Sequence, residues 1–193
     1  MVRRAEPADC AAAAVLHANE LPGEFLSSLG VRFLTVLYRG INAHPDGFVL
    51  VAERDGGVVG FVSGATNSAA VSKAVMRRHR LTLAFWAGGR VLVHPRLLCH
   101  VFAAMSHRDD DYAGKAELLS IAVSSRVQGA GVGQALLAAF KDEMRRRGVA
   151  FFHLIVDERN ARAQTFYKRN GLESLERITM FGTWKNRMGC HLR

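Results

Sequence analysis

Between Ala65 and Arg108 the chain carries no aspartate and no glutamate, although its 193 residues hold 17 of them elsewhere. The same stretch contains Lys73, Arg77, Arg78, Arg80, Arg90, Arg96 and Arg108, a charge of +7 out of a net +9. Directly after it stand Asp109, Asp110 and Asp111. This pattern reads either as a solvated face or as the footprint of a polyanionic partner: a nucleotide, a carrier protein, an acidic membrane or a nucleic acid. Cysteine is scarce too. Cys10, Cys99 and Cys190 are far apart and odd in number, which excludes a disulfide frame and a C-x-x-C zinc site and points to a reduced, cytoplasmic chain without a metal. No stretch reaches the ~18 uninterrupted apolar residues of a membrane span, and Glu6 and Asp9 break the apolar N-terminus before it can read as a signal peptide. Repeats, zinc-finger spacing and RNA-binding aromatic motifs are all missing, so no nucleic acid is expected. What remains, 49% hydrophobic and 22% charged residues, suits one globular domain over 1–193.

Within that domain the patterning alternates between strand and helix. Residues 2–4 read as a short strand that runs into a helix with Pro7 at an early helical position. Phe25, Leu26, Leu29, Phe33, Val36, Leu37 and Ile41 recur at helical spacing, which predicts one amphipathic helix from Glu24 to Ile41. Two β-branched runs, Phe48–Ala52 and Val58–Ser63, flank Asp55-Gly56-Gly57 and predict a hairpin. The stretch from 65 to about 111 reads as a basic helical insertion of two or three helices, punctuated by Gly88-Gly89 and Pro95. Leu97, Leu98, Val101, Phe102 and Met105 form an apolar stripe in it. The final third is a strand (Ala116–Val123), a helix (Gln134–Arg147), a strand of little polarity that is expected to be central (Val149–Asp157), a helix (Asn160–Gly171) and further strand-like alternation. Strand-helix-strand order implies a right-handed crossover, hence an α/β or α+β domain built in layers.

Gly129, Gly131 and Gly133 stand directly before a helix. Glycine gives up more conformational freedom on folding than any other residue, so three in five positions mean that the main chain itself has to come close to something. The first helical turn presents N–H groups without partners and the positive end of the macrodipole, which together make an anion site. No lysine follows Gly133, which excludes a Walker A loop. Neither glycine frame fits G-x-G-x-x-G, which excludes the dinucleotide fingerprint. The motif left is Q-x-x-G-x-G, on Gln128, Gly131 and Gly133.

The segment from Ala116 to Glu173 resembles the core of the GNAT superfamily of N-acetyltransferases: a strand ending in a bulge, a Q/R-x-x-G-x-G/A loop, a helix, a strand, and a helix that carries an asparagine and a tyrosine. The order of elements in residues 1–64 is also similar, and 65–111 falls outside it. The resemblance implies a mixed, mostly antiparallel sheet flanked by helices, and acetyl-CoA as co-substrate. It implies that the backbone from Gln128 through Gly129, Ala130, Gly131, Val132 and Gly133 to Gln134 holds the diphosphate. Ile121, Ala122 and Val123 would line the pantetheine arm as an added strand does, and Arg126 either pairs with a phosphate or is solvated.

The implied reaction is transfer of an acetyl group from a thioester to a primary amine in a ternary complex. An alkylamine with a pKa near ~10.4 must lose a proton before it attacks, so a base is required. Glu117 resembles an acidic position of the family; His153 is its rival, and Tyr112, His107 and residues 109–111 are further neighbours if the insertion folds over the site. The N–H of Val123 is the expected donor to the developing oxyanion. Tyr167 is the expected acid for the thiolate, with Asn160 two turns earlier on the same face, as a ligand of the arm or only as a helix cap. Glu20 and Glu24, in the loop after the first helix, either face a cationic acceptor or cap the next helix. The basic insertion favours an acceptor with negative charge, such as a nucleotide-linked amino sugar or an acyl carrier protein. Two other classes stay open: a non-catalytic CoA-binding regulator, and a basic protein on a membrane or nucleic acid.

Overall fold

The computed structural model describes residues 1–91, 112, 114–180 and 182–192. Its strands and helices follow in the order β1 (Val2–Arg4), α1 (Asp9–Glu20), α2 (Phe25–Ser28), α3 (Val31–Ala43), β2 (Gly47–Arg54), β3 (Gly57–Ala65), α4 (Ser68–Val91), β4 (Glu117–Val123), α5 (Val132–Arg146), β5 (Phe151–Asp157), α6 (Ala161–Arg169), β6 (Glu173–Met180) and β7 (Thr183–His191). The seven strands form one sheet in the order β1-β2-β3-β4-β5-β7-β6. Every neighbouring pair is antiparallel except β4 and β5. This is the mixed, mostly antiparallel sheet that the sequence implied.

Alternation along the strands builds a core on each face. Val49, Val51 and Phe61 point to α1, α3 and α4, where they meet Ala13, Ala14, Leu34, Ile41, Val71 and Val75. Phe48, Leu50 and Val62 point the other way, to Leu136, Leu137, Phe140 and Met144 of α5. The hairpin turns on Asp55 and Gly56, both at positive φ (53° and 74°), as a two-residue loop between twisted strands requires.

Three sequence expectations need correction. The helix read from Glu24 to Ile41 is two helices, because Gly30 takes φ 89° between α2 and α3; the apolar spacing continues across the break and conceals it. Pro7 sits in the turn before α1 rather than within it. Gly88-Gly89 does not punctuate a helix, since α4 runs through both to Val91. Pro95, the stripe from Leu97 to Met105, Cys99, His107 and the acidic run 109–111 lie outside the described residues. Among the described residues no helix is long and apolar enough to cross a membrane.

One polar pair lies inside the first core. His17 of α1 and Tyr38 of α3 are each about 1% exposed, with the ring nitrogen Nδ1 2.5 Å from the tyrosine oxygen. Burial lowers the imidazole pKa from 6.5 to about 4. The unfolded chain therefore takes up a proton below about pH 6.5 that the fold refuses until about pH 4, and stability falls with pH through that window by at most about 3 kcal/mol. Denaturant midpoints measured from pH 7 to pH 4 are expected to show this loss, and His17→Leu is expected to flatten it.

Candidate active site

β4 is bound very differently on its two sides. Toward β3 it is paired from Glu117 (opposite Ala65) to Val123 (opposite Gly60). Toward β5 the only register partners are Glu117 and His153, supported by the hydrogen bond from His153 N to Ala116 O at 3.0 Å. Beyond that point the strands diverge, and β5 continues fully paired with β7. Ser124 N donates to Val59 O. Alternation in an antiparallel ladder then turns the N–H and C=O of Ile121 and Val123 away from β3, into the gap between β4 and β5.

The gap opens into a cleft of about 510 Å³. Ile121, Ala122 and Val123 form one wall. Across the mouth runs the glycine loop, with Gly129 at φ 84° and Gly131 at φ 77°; a Cβ at either would meet nothing within 4 Å. Backbone conformation rather than crowding therefore demands glycine at these two positions. Gly131 is the N-cap of α5 and no side chain caps the helix. The first helical bond is Ala135 N to Gly131 O at 3.0 Å, which leaves the N–H groups of Val132, Gly133 and Gln134 aimed at the cleft, at the positive end of a 15-residue helix. Gly133 has an ordinary helical conformation, and its Cβ would stand 3.7 Å from the Phe166 ring. The Gln128 side-chain amide donates to Val123 O at 3.3 Å and ties the loop to the strand.

The opposite wall comes from α6. Its position is set by Asp157 at the end of β5, which accepts from Arg159 N and side chain and from Lys185 Nζ at 2.9 Å. The Arg159 guanidinium, then the Lys185 ammonium, hold that carboxyl well below the usual range. Asn160 caps the helix through Oδ1, accepting from Ala163 N at 3.0 Å, and also lines the cleft with Arg162, Ala163, Phe166 and Tyr167. Tyr167 is 7% exposed. Burial first, and then the Glu24 charge, push its phenol well above 10, so it stays protonated at neutral pH.

Glu20 and Leu21, at the end of α1, close the remaining side. Glu20 Oε1 accepts from Ser125 N at 2.9 Å and fastens α1 to the loop after β4. Glu24 stands at the N-cap position of α2 without a side-chain cap bond, and its charge reaches Tyr167. Arg126 is exposed on a short 3-10 turn, and neither it nor Ala130 lines the cleft. Glu117 is also absent from the lining. It stands at the far end of β4 beside His153, about 13 Å along the strand from Ile121 at ~3.3 Å per residue. Leu21, Val127, Arg162, Ala163 and Phe166 line the cleft without having been singled out from sequence. For the α6 residues a signal existed: Ala163 and Tyr167 lie three and seven residues after Asn160, on one helical face.

The cleft thus combines bare main-chain amides for an anion, an unpaired strand edge for an extended amide-bearing chain, and a protonated tyrosine. The family model described as "Acetyltransferase (GNAT) family" matches residues 18–172. The chain belongs to that family. Acyl transfer from acetyl-CoA is the chemistry of GNAT enzymes, and this cleft fits acetyl-CoA because its diphosphate, pantetheine amides and sulfur have their three counterparts here. Similar solved structures include the ribosomal-protein-alanine N-acetyltransferase from Brucella melitensis (20% identity, 100% of this chain and 99% of that one, TM-score 0.66). The ribosomal-protein-S18-alanine N-acetyltransferase from Escherichia coli is similar at 17% identity, 100% and 93% coverage and TM-score 0.63. The yncA protein from Salmonella typhimurium, solved with its cofactor acetyl-CoA, gives 18%, 100% and 94%, and 0.63. No curated protein matches the chain in sequence. At these identities the structures support the fold alone.

The GNAT loop makes a graded prediction. Gly131→Ala is expected to cost about 1 kcal/mol of stability, because a side chain at φ 77° is strained, and to weaken acetyl-CoA binding at least tenfold. Gly133→Ala is expected to leave both nearly unchanged. Thermal melts and calorimetry with acetyl-CoA check the pair.

Proposed function

We propose that the chain is one acyltransferase domain over 1–193, with an insertion at about 65–111, and that it acetylates the primary amine of a small molecule by direct attack. The observation that carries this reading is Tyr167, protonated and buried in the wall of the cleft, in the same cleft as the N–H groups of Ile121 and Val123 that point away from β3. The diphosphate rests on the cleft-lining amides of the glycine loop and of Val132, Gly133 and Gln134, with Arg162 supplying a cation at the cleft. The pantetheine arm pairs with Ile121 and Val123 in the place a further strand would take.

Glu117 lies outside the cleft, so the proton of the incoming ammonium passes to solvent water at the cleft rather than directly to that carboxylate. The neutral nitrogen attacks the thioester carbonyl, and the Val123 N–H stabilises the developing oxyanion. The carbon–sulfur bond breaks as Tyr167 donates to the sulfur. Its raised pKa makes full transfer to a thiolate near ~8.5 uphill, so the phenol acts first as a hydrogen-bond donor and gives up its proton late. As the intermediate collapses the nitrogen gives up its second proton, which restores the Tyr167 phenol, so the nitrogen ends as an amide and the sulfur as a thiol.

Glu20 and Glu24 border the side from which the acceptor arrives, and two carboxylates favour a cationic amine there. Because Glu20 already holds Ser125 N, Glu24 is the freer of the two to meet it. The test is thiol release from acetyl-CoA across amino sugars, nucleotide-linked amino sugars, polyamines and peptides. Tyr167→Phe is expected to lower kcat at least about 100-fold while the Kd for CoA stays within twofold. Full turnover in that variant, or no thiol release by the wild type with any amine, would overturn the assignment; CoA binding without turnover would favour a regulator.

A further inference from the structure

The register of β4 contains an irregularity just before the slot. Ser63 is opposite Ser120, but its neighbour Gly64 is opposite Leu118. Leu119 is therefore an extra residue, a bulge on β4. An unbulged strand would send Ser120 to the same face as Leu118, toward α5. With the bulge, Leu119 packs against the α1–α3 core and Ser120 turns to that side as well, where its hydroxyl comes within reach of the Tyr38 phenol. Ile121 returns to the α5 side.

A bulge is a soft element, because the extra residue can be taken up at a neighbouring position and each one-residue slip exchanges the two faces. Here it is held from three directions. Ser63 Oγ, fully buried, donates to Ser120 O at 3.5 Å. The Ser120 hydroxyl meets Tyr38, and Tyr38 meets His17 Nδ1 at 2.5 Å. The Tyr38 ring is further fixed edge-on against Phe61 of β3, centroids 5.0 Å apart. His17 Nε2 is buried and finds no partner among the described residues. Four polar side chains in an otherwise apolar layer cost stability unless they do something that apolar packing does not.

We propose that Ser120, Tyr38 and His17 are positioning residues that lock the β4 bulge and so aim the main-chain amides of Ile121 and Val123 into the slot. The inference rests on the acyl-transfer reading of the same cleft. None of the three touches the substrate; they act through the backbone of the two residues that follow the bulge. The chemical consequence is steep, because misplacing a reacting group by ~1 Å costs on the order of 10²-fold in rate. The diphosphate grip lies past Val123 and does not depend on the bulge, so catalysis and binding should separate.

The test compares Tyr38→Phe and Ser120→Ala, each removing one hydroxyl, with Val51→Ala, a fully buried change in the same layer. Amide hydrogen exchange at residues 119–123 is expected to accelerate about tenfold in the first two variants, with residues 131–135 unchanged. Where an accepted amine is in hand, their kcat should fall by about 10- to 100-fold, with the Kd for acetyl-CoA by calorimetry within threefold. The double variant should be no worse than either single one, as members of one unit behave. Val51→Ala should lower the melting temperature at least as much and move neither readout. If Tyr38→Phe and Ser120→Ala lower the melting temperature but keep wild-type exchange at 119–123, the cluster is core packing and the proposal fails. Exchange and calorimetry need no acceptor, so that failure is separable from a failure of the acyl-transfer reading, which would show as a wild type that releases no thiol.

Discussion

The divergence of β4 from β5 is the constraint on which the rest of this molecule depends. A sheet interior ordinarily satisfies every backbone donor and acceptor. Here one register pair, Glu117 with His153, joins the two strands, and the amides beyond it face a cleft. Leaving such groups unpaired is costly unless water or a ligand meets them. The architecture therefore keeps a row of hydrogen-bonding groups at strand spacing open to the cleft. Binding and fold are the same interaction seen from two sides.

What keeps the divergence from closing is the packing around it. β5 is fully committed to β7 over seven residues, and β4 to β3, so neither strand is free to move toward the other. The helix that follows β4 cannot fill the gap because its N-terminus, on Gly131, has no side chain to place there. The Phe166 ring lies beside Gly133, where an added Cβ would stand 3.7 Å from it, and α6, with Tyr167, thus lines the same cleft. Glu20 clamps α1 to the loop at Ser125. Elements distant in sequence are thus fastened to the same few residues that follow β4.

The parts legible in the sequence were those whose physics is local. A left-handed backbone needs glycine, so the loop announced itself at Gly129 and Gly131. A helix start needs an acceptor, so Asn160 marked the beginning of α6 to within a residue. The hairpin at Asp55-Gly56 followed from twist. By contrast, the break at Gly30 was hidden because Leu29 and Phe33 keep helical spacing across it, and one glycine costs a helix only ~1 kcal/mol. The same small penalty explains how α4 passes through Gly88-Gly89. The distance of Glu117 from the cleft was illegible for another reason: an apolar strand reveals its two faces but not which end of which edge is left open.

The His17–Tyr38–Ser120 cluster belongs to a third kind, set by register. In sequence Ser120 is a small polar residue in an apolar strand and His17 a lone histidine on an apolar helix face, each easily read as incidental. Their meeting requires the extra residue at Leu119, which only the pairing with β3 shows. Without it Ser120 would lie under α5 and the Tyr38 hydroxyl would keep His17 as its polar partner but lose the serine. The bulge and the cluster therefore explain each other: the bulge delivers the serine to the tyrosine, and the tyrosine makes every other register more costly. Because Ile121 and Val123 follow directly, a preference for one register among buried side chains becomes a fixed direction for the amides that face the cleft.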